Sequence, residues 1–114
     1  MTEVVLIEAA EGFTDVAVRG RLDAAGVGEV DLKLTAQTAA RRKPAVIDLT
    51  EVGFIASLGI GMLVALARSM RSHGVGLVVV ARPPVKTILE TMNVGSLIPV
   101  VATREDALQV LGVS

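Results

Sequence analysis

The 114 residues fit one domain, 1–114, and leave no room for two. Just over half of them are apolar (52%) and mean hydropathy is +0.64, which excludes a disordered chain. A net charge of −1, two Phe, no Trp or Tyr and no Cys exclude three classes: a basic nucleic-acid binder with stacking aromatics, a disulfide framework and a thiolate metal site.

Val4-Val5-Leu6-Ile7 opens the chain as a strand, and Gly12 marks the turn after it. Phe13 to Val18 alternates apolar and polar side chains, which predicts a second, half-buried strand paired with the first as an antiparallel hairpin. Gly20-Arg21-Leu22-Asp23 breaks the pattern. Asp23 is suited to cap a helix from about Ala25 to Ala40, with Val27, Val30 and Leu34 at helical spacing and Pro44 as its stop. Ala45 to Leu49 is apolar except for Asp48 and reads as a central strand covered on both faces. Thr50 to Gly53 reads as a short loop before Phe54-Ile55.

A long helix is predicted from Ser57 or Leu58 to Ser72, with Ile60, Leu63, Val64, Ala67 and Met70 on its core face. His73-Gly74 ends it, with His73 a cation beside the helix C-terminus and Gly74 suited to the left-handed conformation. Its apolar run from Leu58 to Ala67 is about half the ~20 residues a membrane span requires, so no membrane insertion is expected. Val75 to Val80 is a further strand, and Pro83-Pro84 precedes a helix from Val85 to about Met92. Leu97 to Val101 reads as the last strand, and Thr103 to Asp106 fits a capping box for a terminal helix, Ala107 to Leu111. The expected fold is α/β: a single-domain sandwich of a mostly parallel sheet, an antiparallel edge hairpin at the N-terminus and about four helices. Met1-Thr2-Glu3 begins no basic-then-apolar leader, so a cytoplasmic protein is expected.

Catalytic chemistry has few carriers. His73 is the single histidine, and no second His or Cys pairs with a serine as its base. Gly59-Ile60-Gly61 lacks the third glycine of a dinucleotide motif and falls inside a helix. No carboxylates pair at metal-ligand spacing on a helix; neither metal nor cofactor is expected, and the chain reads as a binding protein, not an enzyme.

Three features converge on one edge of the expected sheet. Asp48 either caps the loop or helix after its strand or serves a site at the strand's C-terminal end. Ser57 is the expected N-cap of the long helix, where unpaired N–H groups also favour an anion. Gly59 and Gly61 would let a partner approach, at a cost of roughly 1 kcal/mol each against Ala in a helix interior. Leu58, Met62 and Ala65 recur at i, i+4, i+7; either a neighbouring helix buries them or they form an apolar patch beside Ser57.

Val46-Ile47-Asp48-Leu49-Thr50 followed by Val52-Gly53-Phe54-Ile55-Ala56-Ser57-Leu58-Gly59-Ile60-Gly61-Met62-Leu63 resembles the core of the STAS domain, a family named for sulphate transporters and anti-sigma-factor antagonists. Gly20-Arg21-Leu22-Asp23, the stretch Val85 to Glu90 before Asn93-Val94, and Glu105-Asp106-Ala107-Leu108 extend the resemblance over nearly the whole chain. In stand-alone bacterial members it implies an antagonist that binds an anti-sigma factor with serine kinase activity and thereby frees the sigma factor. Phosphorylation of the serine matching Ser57 releases that partner, and a phosphatase resets the switch. The residue pattern and the resemblance together lead us to expect a partner-binding surface of Asp23, Asp48, Ala56, Ser57, Leu58, Gly59, Gly61 and Met62 on a monomer or weak dimer. The resemblance also implies an alternative: an adaptor or scaffold subunit of a signalling complex or transport ATPase assembly that is never phosphorylated. Two positions depart from the family pattern, which has Asp before the serine and often a second serine after it; this chain has Ala56 and Leu58.

Overall fold

The computed structural model describes residues 1–112. Strands β1 (Glu3–Ala9) and β2 (Thr14–Leu22) form the expected antiparallel hairpin. Helix α1 (Ala24–Gln37) leads to β3 (Ala45–Ile55), α2 (Ser57–Ser72), β4 (Leu77–Val80), α3 (Val85–Thr91), β5 (Val100–Val101) and α4 (Arg104–Leu111). The sheet order is β1-β2-β3-β4-β5, and β2 to β5 are parallel.

The molecule has three layers. On one sheet face Val16, Val18, Leu22, Ile47, Leu49 and Ile55 pack with Val30 and Leu34 of α1, Leu63 and Met70 of α2, and Leu89 of α3. On the other face Val46, Val78 and Val80 receive Ala107 of α4 in a second, smaller core. Helix α4 covers only part of that face. Covering on both sides explains why Thr14 to Val18 is buried throughout, where a half-buried alternation was expected.

The expected loop Thr50–Gly53 is strand. It nevertheless carries two irregularities, because β3 fits three steps, Asp48 to Glu51, against two steps of β2, Ala17 to Arg19, and two steps, Val52 to Phe54, against one, Gly20 to Arg21. Each extra residue restores the alternation, so Val52 and Ile55 stay in the core while Glu51 and Phe54 face outward. Leu97 does not extend β5; it follows a 3-10 turn at Val94–Ser96. Thr103 caps α4 by accepting from the Asp106 N–H, and Gly74 takes φ +74° just past α2, both as expected. No helix among the described residues is long and apolar enough to cross a membrane.

Candidate functional site: one sheet edge where two helices begin

The C-terminal ends of β2 and β3 lie side by side, with Leu22 paired to Ile55. The backbone N–H of Ala56 donates to the Leu22 carbonyl at 3.0 Å. One residue past each strand the chain turns into a helix, so α1 and α2 start together at this edge. Asp23 caps α1, accepting from the Gly26 N–H at 2.8 Å. That backbone bond, more than the Arg21 guanidinium at 3.4 Å, holds the Asp23 carboxyl below its ordinary value.

Ser57 is exposed at this edge, but it is not the N-cap. Ala56 holds the cap position with extended backbone and no side-chain hydrogen bond, and Ser57 is the first helical residue. The first backbone bond within α2 runs from Ile60 N–H to the Ala56 carbonyl. The N–H groups of Ser57, Leu58 and Gly59 therefore belong to the unpaired first turn. Leu58 is 58% exposed beside them.

The remaining expected site residues divide. Gly61 is exposed, and a Cβ there would meet nothing within 4 Å. Gly59 is buried, and a Cβ would lie 2.9 Å from the Leu22 carbonyl oxygen, Leu22 Cβ and Ile55 Cγ1. Its small size seats α2 on the strand ends and offers a partner no approach. Met62 is a correction too. At 7% exposure it belongs to the main core, on a helix that packs against α1. Leu58 and Ala65 of the same row remain exposed.

Asp48 does not join the edge. It stands seven residues before Ile55, on the order of 20 Å down the strand, and pairs with Ala17 and Val80. Its carboxylate accepts the Thr50 N–H at 2.8 Å, satisfying the backbone where β3 gains its first extra residue.

Two residues here had no assigned role in the sequence. Arg21 and Phe54 are register partners, and the guanidinium carbon lies 4.5 Å from the ring centroid. Phe54 stays 37% exposed, although it is one of only two aromatics in the chain. The Thr2 hydroxyl donates to the Arg21 carbonyl at 2.7 Å and accepts from the Arg21 N–H at 3.2 Å, and Gly20 takes φ +116° beneath it. That pinned backbone aims Arg21 at Phe54. The signal in the sequence was an unpaired aromatic just before the helix; the register that brings an arginine to it was not visible.

The STAS domain family model matches residues 5–107. Solved structures share the fold. An anti-sigma factor antagonist from Mycobacterium paratuberculosis is 24% identical, with 98% of this chain and 95% of that one covered, at TM-score 0.83. A STAS domain protein from Planctomyces limnophilus is 21% identical, with coverage of 97% and 98%, at TM-score 0.77. The Bacillus cell fate determinant SpoIIAA in its phosphorylated form is 16% identical, with coverage of 95% and 98%, at TM-score 0.61. No curated protein sequence matches the chain. The motif around Ser57, the sheet order and the match over 5–107 agree: this chain belongs to the STAS domain family.

Proposed function

We propose that the protein is an anti-sigma-factor antagonist that acts in the cytoplasm on sigma-factor-dependent transcription. It binds an anti-sigma factor through the edge formed by Asp23, Ala56, Ser57, Leu58 and Gly61. One observation carries the reading: an exposed serine on the first turn of α2, flanked by an exposed leucine and the Asp23-capped start of α1. A neutral hydroxyl there leaves a mixed polar and apolar surface that a partner can cover. Phosphorylation at Ser57 is the switch. The γ-phosphoryl of ATP passes to Ser57 Oγ, the bond to the ADP oxygen breaks, and the hydroxyl proton goes to the partner kinase. The product adds about −1.5 to −2 charges to the interface, which opposes desolvation and releases the partner. The existence of a phosphorylated form of SpoIIAA, a protein of this fold, supports that step. A phosphatase would reset it.

The test is intact mass after incubation with a candidate kinase partner and ATP. Wild type is expected to gain one phosphoryl group and Ser57→Ala none. A wild-type chain that binds the partner but gains no mass would sink the switch. It would leave the second reading, an adaptor or scaffold that binds without modification. Ala56 favours that alternative, since it puts a methyl group where the family pattern has a carboxylate for the kinase or its metal ion.

A further inference from the structure

We propose that Arg21 is the counter-cation of phosphorylated Ser57, and that it leaves the Phe54 ring to reach the phosphate. The inference rests on the phosphorylation reading above and gives that switch a moving part. Three observations carry it. First, Arg21 is loosely held at its tip and firmly held at its root. Its side chain is 62% exposed and its bond to Asp23 is long at 3.4 Å, while the Thr2 hydroxyl fixes both its N–H and its carbonyl. Second, its guanidinium already reaches the start of α1, because Nε donates to Asp23, the cap of that helix, while the carbon sits over Phe54. Ser57 follows Ile55 by two residues, and Ile55 pairs with Leu22, the residue after Arg21. Neighbouring strands lie about 4.8 Å apart, so Arg21 and Ser57 belong to adjacent strand ends of the same edge, and the guanidinium must leave the sheet face it shares with Phe54 to meet a phosphate on α2.

Third, the other charges near this edge are committed or distant. Arg19, two residues before Arg21 on β2, bonds Glu51 at 2.8 Å. Arg82 follows β4, whose pairing with β3 ends at Asp48. Asp23 is engaged by the Gly26 N–H on one oxygen and faces Arg21 with the other. A phosphate dianion offers Arg21 more charge than the half-engaged carboxylate and permits a bidentate contact that a ring cannot. The move would change three surface groups at once. The phosphate gains a partner, Asp23 loses one, and the Phe54 ring is uncovered.

The test installs phosphoserine at position 57 of the full chain by genetic code expansion, so that it is independent of any kinase. Phosphorus NMR follows the second ionisation of the phosphate, ordinarily near 6. With Arg21 in contact the midpoint is expected below that of the Arg21→Ala chain by roughly 0.5 unit, and Arg21→Lys is expected to recover part of the difference. Phe54 ring protons and the Arg21 Nε–H should both shift when Ser57 carries phosphate. An unchanged phosphorus midpoint in Arg21→Ala, with the Arg21 Nε–H of the phosphorylated chain that keeps the arginine at its unphosphorylated position, would overturn the inference. Far-UV circular dichroism of Arg21→Ala, an exposed side chain, checks that the fold is kept. Absence of kinase modification in the mass experiment would sink the switch and leave this contact measurable. A modified serine that ignores Arg21 would sink this contact alone.

Discussion

Two glycines one residue apart in α2 have opposite reasons for being there. Gly59 lies against Leu22 and Ile55, so Gly59→Ala forces a Cβ to 2.9 Å from a backbone oxygen. It should destabilise the fold by about 1–3 kcal/mol, the usual cost of overpacking. Gly61 faces open space, and Gly61→Ala should stabilise by about 0.5–1 kcal/mol through helix propensity alone. Urea unfolding of the two variants gives the comparison. Gly61 replaced by a bulky side chain should instead weaken partner binding with the fold intact. Met62→Lys would put an ammonium group into the main core and is expected to unfold the domain, seen as lost far-UV dichroism, so it is no probe of the interface. Leu58→Lys, at a 58% exposed position, is the informative interface variant: the fold should persist and partner affinity should fall at least tenfold in a calorimetric titration.

At the scale of elements, α4 is held by a charge cluster as much as by its small core. Arg104 bonds Asp15, a nearly buried carboxylate on β2, and Glu8 on β1, and lies 5.8 Å from the Phe13 ring centroid. Burial pushes the Asp15 carboxyl above its ordinary 3.8, and Asp48 and Glu8 add to this, while Arg104 opposes them. A folded-state value above the unfolded one means that ionising Asp15 costs the fold. Its contribution is fully present below about pH 3.8 and is lost as the pH rises through the raised value. Arg104→Met removes the opposing cation, so the Asp15 midpoint should climb further and the loss at neutral pH should deepen. Breaking a wholly buried pair costs about 3–5 kcal/mol; with Arg104 half in solvent, about 1–2 kcal/mol is expected. Carboxyl carbon NMR titration of Asp15 and denaturation at pH 4 and pH 7 check both statements.

For the molecule as a whole, the elements that could be read from the sequence are those with one dominant local cause. Asp23, Gly74 and Thr103 announce helix ends through their own chemistry, and the apolar runs at Ala45–Leu49 and Val75–Val80 announce buried strands, the second of which is strand only over Leu77–Val80. The features that could not be read depend on neighbours distant in sequence. Thr50–Gly53 has the composition of a loop and becomes strand because β2 continues to Leu22 beside it. For Met62 the helical spacing left burial by a neighbouring helix and an exposed patch both open, and the packed fold puts it in the main core. The edge at Ser57 was legible as serine and glycines, whereas the Arg21–Phe54 stack required the pairing register.

The sheet order repeats the chain order without exception. Each strand as it is synthesised therefore finds its partner already made and next to it, and no later segment must be inserted between two earlier ones. The residues of the edge that carries Ser57, from Asp23 to Gly61, all precede β4, α3, β5 and α4 in the chain. During synthesis the segment that carries the proposed contact surface therefore emerges before the segments that close the far side of the sheet.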